Sequence, residues 1–345
     1  MRRILVCQLT FIFALIALTC TIATVHAAES QKLVWPKRLS PGDTLMLIAP
    51  AGPVEREQVM RFKDHVEQRG YQVKLRDDMF DVEGYLAGSD QRRADEFNEA
   101  FADPEVDGVL AVRGGYGCMR MMPLVDWEGV RKSPKLLLGF SDITALHAGM
   151  NKAGVVSFHG PGPASGLGSK EGPTDFTAKY VVRAVEASPA GPYVVEVPES
   201  VSKVESFGKG KATGRLVGGN LSLISALEGT PYALDTKDAI LMIEDVNEAP
   251  YRIDRMVQQL KLAGKLDQLK GVVLGKFTED FVREDKLTDD KRFDTTGVLR
   301  QYFEDLGVPV LVNYPIGHHP QNCTVPLGGE VEIDADAKTL KILAP

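Results

Sequence analysis

LLLGFSDITALH, the stretch from Leu136 to His147, joins a short apolar run to a helical pattern through a Gly-x-Ser turn. The apolar run predicts a buried strand, and the turn holds Ser141 between that strand and a helix. Such an elbow exposes a serine oxygen and directs a helix N-terminus toward the reacting group. A nucleophilic Ser141 needs a base, an acid that orients the base, and donors for an oxyanion. The alternative is that Ser141 and Asp142 only cap the helix, since Ile143 stands where such elbows usually carry a second glycine.

The first half of the chain alternates apolar runs with helical patterns, which predicts a parallel sheet with helices on its faces. The predicted strands are 45–49, 71–75, 106–112 and 136–139, and the predicted helices are 54–69 and 90–102. Ligands of such sheets bind beyond the carboxyl ends of the strands. Turns that contain Gly52, Gly115 and Gly139 follow three of these ends, so we expect the site to lie there.

A segment rich in glycine, proline, serine and charge, residues 163–205, separates the two halves of the chain. We therefore predict an N-terminal α/β domain over 32–165, a linker region over 166–205 with a helix near 174–187, and a C-terminal domain over 206–345. In the second half, a helix is predicted from Pro250 to just before Gly264. Strand patterns of that half fall at 193–197, 239–243, 272–275, 310–312 and within 330–343.

The composition is that of a globular protein, with 345 residues, 44% hydrophobic, 25% charged and a formal net charge of −7. This length favours two domains. An acidic chain without a basic tract predicts no nucleic-acid partner. Outside the N-terminal segment the only cysteines are Cys118 and Cys323, too few for a disulfide scaffold or a zinc cluster. Whether these two pair in an oxidising compartment stays open at this point.

The first 27 residues have the pattern of a signal peptide. Arg2 and Arg3 precede the apolar stretch Ile4–Val25, and small residues flank a cleavage point after Ala27. We therefore expect an exported, periplasmic protein with no stable membrane span after cleavage. Without these residues, which carry two arginines and no acid, the formal net charge changes from −7 to −9. The alternative is an uncleaved anchor, because the stretch is long enough to cross a bilayer.

Candidates for the base and the acid follow strands of the second half. His318 lies in a Pro- and Gly-containing loop after the predicted strand 310–312, where catalytic side chains are common; the alternative is a surface histidine. His159 follows a strand-like run and is a second candidate to line the cleft. Glu244 ends an apolar run, where a carboxylate can orient an imidazole, although acids here also suit the cap of the helix at Pro250. The order Ser, Glu, His is that of α/β-hydrolases.

The loop Arg113–Gly117 lacks the full Gly-x-Gly-x-x-Gly spacing, so it indicates nucleotide binding only weakly. Glycine leaves backbone N–H groups uncovered, and we predict that the amides of Gly115 and Asp142 form an oxyanion hole. The alternative is a plain glycine turn.

Several blocks of sequence, in order from about residue 42 to 330, resemble the LD-carboxypeptidases, also called muramoyltetrapeptide carboxypeptidases. The blocks are IAPAG at 48–52, AVRGGYG at 111–117, GFSDITA at 139–145, GGNL at 218–221, IEDVNEAPYRIDR at 243–255, GH at 317–318 with Asn322, and TVPLG at 324–328. Each block alone is weak, but all of them in this order are highly specific.

This resemblance implies that Ser141 is the nucleophile, His318 the general base and Glu244 its orienting acid. Arg113 is then the candidate partner for the terminal carboxylate of the substrate, or a structural arginine that ties loops together, and Tyr116 is a further candidate for substrate binding. The implied substrate is a murein tetrapeptide, or its disaccharide form, cleaved between meso-diaminopimelate or L-lysine and a terminal D-alanine.

The resemblance also implies a fold, a homodimer and a reaction without metal or cofactor. The fold joins a flavodoxin-like N-terminal domain with a parallel sheet to a C-terminal mixed α/β domain of the swivelling type. One alternative is a peptidase like those of microcin self-immunity, which act on a peptidyl-nucleotide; Trp35 and Trp127 lie outside the blocks above, which disfavours base stacking at the site. The other alternative is a murein-binding protein without catalysis.

Overall fold

Residues 33–188, 191–278 and 293–343 are described by a computed structural model. The predicted signal peptide, residues 1–27, lies outside these ranges. Within them, none of the helices combines the length and the apolar character that crossing a bilayer requires.

The first sheet has six strands, and its central strands are completely buried. It contains β1 (Thr44–Ile48), β2 (Gln72–Lys74), β3 (Gly108–Ala111), β4 (Leu136–Gly139), β5 (Ser157–His159) and β12 (Val325–Leu327). The order is β12-β5-β4-β3-β1-β2, and every pair is parallel except the antiparallel pair of β12 with β5. Burial on both faces explains why the central strands β1, β3 and β4 are nearly continuous apolar runs rather than alternating patterns.

The second sheet has eight strands and is mixed. It contains β6 (Tyr193–Val195), β7 (Glu205–Phe207), β8 (Lys211–Asn220), β9 (Ala239–Val246), β10 (Gly271–Thr278), β11 (Val310–Val312), β13 (Glu330–Asp334) and β14 (Thr339–Ile342). The order is β6-β14-β13-β8-β9-β10-β11-β7, with β8 to β11 parallel and the outer strands antiparallel.

Nine α-helices connect these strands within the described residues. They are α1 (Arg56–Gln68), α2 (Asp90–Ala102), α3 (Cys118–Met121), α4 (Trp127–Lys132), α5 (Thr144–Lys152), α6 (Asp175–Val185), α7 (Leu221–Leu227), α8 (Pro250–Leu262) and α9 (Thr295–Phe303). Several of these helices begin at an N-cap residue. The side chains of Ser89, Thr174 and Asn220 accept hydrogen bonds from backbone amides in the first turns of α2, α6 and α7.

The two sheets share a buried core. One apolar cluster contains Ile48 of β1 and Ile243 of β9, both fully buried. A direct hydrogen bond also joins the halves, because the amide of Asn220 at the end of β8 donates to Thr144 Oγ1 at the start of α5 (3.0 Å). The carboxyl ends of β4 and β9 are thereby fixed relative to each other.

The predicted α/β fold class is confirmed, with a mostly parallel first sheet and a mixed second sheet. Two features differ from the sequence pattern. The glycine-rich residues 214–220 are part of the long strand β8. The chain also returns from the second sheet to the first, where β12 pairs with β5; three residues that include a proline carry too weak a signal for a strand.

Candidate active site

Ser141 stands at the carboxyl end of β4, where the strand turns into a short 3-10 helix, Ser141–Ile143, that leads into α5. Its φ is +64°, the left-handed region that non-glycine residues rarely adopt. Its hydroxyl caps neither helix, since the N-cap positions are Phe140 and Ile143 and neither end has a side-chain cap. The backbone therefore holds Ser141 in a strained turn, as in a nucleophile elbow, rather than as a capping residue.

The loop that follows β3 packs closely against this turn. A Cβ atom at Gly114 would lie 2.9 Å from Ser141 Cβ and 3.1 Å from the amide nitrogen of Asp142, so only glycine allows this approach. The loop is tied to the next one, because the amide of Gly52 donates to the carbonyl of Gly114 (3.2 Å). Loops after β1, β3 and β4 thus meet at one edge of the sheet, as the sequence predicted.

Arg93 of α2 holds two of these loops together. The sequence did not predict this role. Its side chain is fully buried and pairs with Asp90. Its guanidinium donates to the carbonyls of Pro50 and Gly117, at 2.8 Å each. In the sequence it belongs to a charged helix and gives no sign of burial. Its Nη1 serves both carbonyls and its Nη2 serves Asp90, so a side chain with several fixed donors suits this position.

Glu244 and His318 form a close pair. Glu244 is fully buried near the end of β9, and its Oε2 lies 2.6 Å from Nδ1 of His318. The same oxygen accepts from the amide of His318 (3.3 Å). Because Nδ1 is engaged, Nε2 of His318 is left for a proton from another group. The helix-capping alternative is not observed: the N-cap of α8 is Ala249, without a side-chain cap.

Gly317 makes this pairing possible. Its φ is +106°, and a Cβ atom there would come to 2.7 Å from both Cβ and Cγ of Glu244. Its amide donates to Oδ1 of the buried Asn322 (3.0 Å), which closes the loop behind His318.

The electrostatics of the pair favour an ionised acid beside a basic imidazole. Burial alone raises the pKa of Glu244, but His159 and His318 outweigh it and bring that pKa to about 2. Burial lowers the pKa of His318, yet its hydrogen bond to Glu244 and the negative charge of that carboxylate raise it above the ordinary value. The pair therefore has the properties of a base held by its orienting acid.

Two further histidines are buried beside this pair. His147 of α5 bonds through Nε2 to the carbonyl of Gly139 and through Nδ1 to Ser157 Oγ, at 2.9 Å each. Burial, with a smaller effect of His159, lowers the pKa of His147 to about 3. His159 at the end of β5 is fully buried, and its Nε2 lies 3.7 Å from Glu244 Oε1.

The predicted oxyanion donors are the amides of Gly115, in the loop after β3, and of Asp142, next to Ser141. Gly115 lines the cleft, and its amide has no acceptor among the described residues. The amide of Asp142 is in the first turn of a helix, where N–H groups have no intrahelical partner. The buried side chain of Asp142 accepts from the amide of Cys118 (2.8 Å), which ties the two turns together. The geometry thus leaves both amides available to an oxyanion.

The candidate site opens into one cleft of about 810 Å³. Its lining includes Ser141, His318, Gly115 and Arg113, together with Glu55, Gln58, Gly114, Phe140, Ala164, Val246, His319, Pro320 and Asn322. Ser141 and His318 do not hydrogen-bond within the described residues, and such contacts are commonly longer in ligand-free structures than with substrate bound.

The two predicted substrate-binding residues differ in position. Arg113 lines the cleft, and its Nη1 donates to the carbonyl of Pro53 (3.0 Å), so it contacts a neighbouring loop and also faces the cleft. Tyr116 is 52% exposed, packs edge-on against Tyr85 with 5.5 Å between ring centroids, and is not among the residues that line the cleft. Its role in substrate binding stays a prediction.

The described residues contain neither a metal-binding cluster nor an exposed thiol. In the part of the chain that the structure describes, no group of three or more histidine, cysteine, aspartate or glutamate side chains is placed to hold a metal ion. Cys118 and Cys323 are both buried and free, so they do not form a disulfide. Burial raises the pKa of both thiols, which makes them poor nucleophiles.

Comparison with known protein families matches both halves of the chain. The sequence model of the LD-carboxypeptidase N-terminal domain matches residues 45–160, and that of the LD-carboxypeptidase C-terminal domain matches residues 213–333.

Individual proteins agree with this match. The chain is 36% identical over 310 residues to the probable murein peptide carboxypeptidase of Bacillus subtilis. The aligned region covers 90% of this chain and 94% of that protein. The crystal structure of muramoyltetrapeptide carboxypeptidase from Oxalobacter formigenes has a TM-score of 0.74 at 29% identity, covering 88% of this chain and 99% of that chain, and shares the two-domain fold. The microcin C7 self-immunity protein MccF of Escherichia coli is 26% identical over 336 residues, covering 88% of this chain and 94% of that protein.

Proposed function

The chain belongs to the LD-carboxypeptidase family of serine carboxypeptidases, and we propose that it removes the terminal D-alanine from murein tetrapeptide stems. The bond cleaved is the one between meso-diaminopimelate or L-lysine and D-alanine. The observation that carries this proposal is that His318, hydrogen-bonded to the buried Glu244, lines the same cleft as a strained Ser141.

The reaction proceeds through an acyl-enzyme. Nε2 of His318 takes the proton of Ser141 as Oγ attacks the scissile carbonyl, and Glu244 stabilises the imidazolium that forms. The amides of Gly115 and Asp142 hold the oxyanion and contribute about 3 kcal/mol each. His318 then gives its proton to the departing amine of D-alanine. Water, activated in turn by His318, hydrolyses the ester at Ser141.

The charges of the cleft suit the two ends of this substrate. Arg113 provides a cation for the terminal carboxylate, because guanidinium and carboxylate form bidentate hydrogen bonds. Glu55 lines the same cleft, is exposed and belongs to no ion pair among the described residues. It is suited to the side-chain ammonium of diaminopimelate or lysine in the third position of the stem. The Arg113 assignment supports a free terminal carboxylate, and the Glu55 assignment supports a diamino acid next to the D-alanine.

The first test is D-alanine release from a free murein tetrapeptide by the purified full-length chain. We expect release by the wild type, none by Ser141→Ala, and unchanged release by Ser200→Ala, which alters an exposed serine outside the cleft. A pentapeptide ending in D-alanyl-D-alanine tests the bond, and it is expected to stay intact. Release by Ser141→Ala would refute the mechanism, and cleavage of the pentapeptide would refute the LD specificity.

The N-terminal segment supports a proposal for the location of the reaction. Arg2, Arg3 and the apolar stretch Ile4–Val25 support export by a signal peptide, so the substrate is proposed to be murein stems in the periplasm, in peptidoglycan remodelling or recycling. Cell fractionation, with N-terminal sequencing of the mature protein, tests this. The resemblance to the family supports a homodimer, for which light scattering of the purified protein is the test.

A second candidate is hydrolysis of a peptidyl-nucleotide, which the similarity to the microcin C7 self-immunity protein favours. Recognition of a nucleobase commonly uses an exposed aromatic ring for stacking. Among the described residues that line the cleft, the one phenyl or indole ring is that of Phe140, which is buried and packs against His318. This supports the carboxypeptidase. Release of the amino acid from an aminoacyl-nucleotide amide, without release of D-alanine from the tetrapeptide, would favour the second candidate.

A further inference from the structure

The two oxygens of Glu244 have very different surroundings. Oε2 has two contacts with His318, to the ring at 2.6 Å and to the backbone amide at 3.3 Å. Oε1 is fully buried and has no hydrogen-bond donor within reach among the described residues. A buried carboxylate oxygen without a partner is costly, so a donor for Oε1 is expected in its surroundings.

His159 lies on the open side of this carboxylate. Its Nε2 is 3.7 Å from Oε1, and both of its ring nitrogens lack hydrogen-bond partners among the described residues. The ring is fully buried at the end of β5, whose neighbour β4 leads to Ser141. Phe140 packs against both histidines, with ring centroids at 6.0 Å from His159 and 4.8 Å from His318. Glu244 is therefore approached by one imidazole at each oxygen.

We propose that His159 is a positioning residue, which holds the Oε1 side of Glu244 and thereby keeps Oε2 directed at His318. The distance of 3.7 Å is longer than a hydrogen bond, and a small rotation of either group closes it. Such a restraint matters most when His318 carries the proton, because a carboxylate that rotates away no longer stabilises the imidazolium. His159 is fully buried and is not among the residues that line the cleft, so it acts through Glu244.

The titratable groups that face His159 are few. Glu244 approaches it from β9 and His147 from α5, with 6.1 Å between the two imidazole centroids. His318 contacts the same Phe140 ring as His159 does. His147 is engaged by Gly139 and Ser157, which leaves Glu244 as the acceptor for the Nε2–H of His159.

The inference rests on the proposed function only in that Ser141, His318 and Glu244 act together, so its test reads the reactivity of Ser141 directly. The full-length protein is labelled with a fluorophosphonate, and the rate of covalent modification is measured. His159→Phe keeps the ring volume and removes the donor, and we expect labelling at least about tenfold slower, as for other residues that orient a functional group from behind. His159→Gln places an amide near the position of Nε2, and its labelling rate is expected to stay within about threefold of the wild type. The amide of His159→Asn reaches only the position of Nδ1, so this variant is expected to label as slowly as His159→Phe.

A double-mutant cycle separates positioning from a structural role. If His159 acts through Glu244, adding His159→Phe to Glu244→Gln slows labelling no further than Glu244→Gln alone. Additive losses would overturn the inference, as would wild-type labelling of His159→Phe, equal rates of the Gln and Asn variants, or a wild type that does not label. Should His159→Phe fail to fold by circular dichroism, the Gln and Asn pair decides. A protein that labels in the expected pattern but releases no D-alanine would contradict the proposed function and leave the role of His159 intact.

Discussion

Replacing Ser141 with glycine is expected to stabilise the protein while it abolishes turnover. Ser141 has a φ of +64°, in the left-handed region where a side chain costs about 1 to 2 kcal/mol. Its hydroxyl makes no hydrogen bond among the described residues, so its removal loses no such contact. Glycine adopts this conformation freely but has more entropy to lose on folding, which offsets part of the gain. The net stabilisation of Ser141→Gly over Ser141→Ala is about 1 kcal/mol.

This difference is measurable as a shift in melting temperature. Unfolding entropy is about 2.1 cal/mol/K per residue, so a cooperative unit of roughly 310 residues changes its Tm by about 1.5 °C for 1 kcal/mol. We expect Ser141→Gly to melt about 1.5 °C above Ser141→Ala at one scan rate, with both variants inactive. Ser141→Ala is the matched reference because it also lacks the hydroxyl but keeps the backbone strain.

A second control fixes the sign of the effect. Ser200 is exposed, and its φ is not in the left-handed region, so Ser200→Gly is expected to lower the Tm slightly through the entropy of the unfolded chain. If Ser141→Gly melts at or below Ser141→Ala while Ser200→Gly behaves as expected, position 141 stores no strain, and the reasoning about the elbow is wrong.

Three further predictions concern the pair, its glycine and the thiols. The pKa of His318 is raised, and the base must be neutral to accept a proton, so the acid limb of the kcat/KM profile is expected above a pH of about 6.5. Glu244→Gln should move this limb to lower pH and reduce kcat/KM by about 10³- to 10⁴-fold. An unmoved limb would show that Glu244 does not set the pKa of His318. In Gly317→Ala the new Cβ would come to 2.7 Å from Glu244 Cβ, so strain and overpacking should lower the free energy of unfolding by about 2 to 4 kcal/mol. Denaturant titration measures this loss. A loss below about 0.5 kcal/mol would contradict the close approach. Cys118 and Cys323 should resist iodoacetamide in the native protein and react after unfolding, as peptide mass spectrometry can show; native labelling of either would contradict its burial.

The sequence predicted most of what depends on local pattern. The bounds of β4 and α2 agree with the predicted strand 136–139 and helix 90–102, because a buried parallel strand is a continuous apolar run and a surface helix has a clear polar face. The approach of Ser141 and His318 to one cleft, with Glu244 bonded to His318, also follows from pattern, since each lies near the end of an apolar strand or in the loop beyond it.

The features that escaped prediction depend on contacts between distant residues. Glycines normally weaken strands, so the strand that contains residues 214–220 could not be recognised until its neighbours β9 and β13 were known. The burial of Arg93 depends on carbonyls 24 and 43 residues away. His159 was recognised as a candidate for the cleft, but its contact with Glu244 joins residues from two sheets, which no local period encodes.

The route of the chain explains how three separate elements form one site. Ser141 follows a strand of the first sheet, and Glu244 lies in a strand of the second. His318 lies in the segment that leaves β11 of the second sheet and reaches β12 of the first, where Val325 pairs with His159. A loop anchored to both sheets holds the imidazole against the acid of one and beside the serine of the other. Substitutions that weaken the pairing of β12 with β5 should therefore lower kcat more than they lower the affinity for substrate, because they displace the base and leave Arg113 in place.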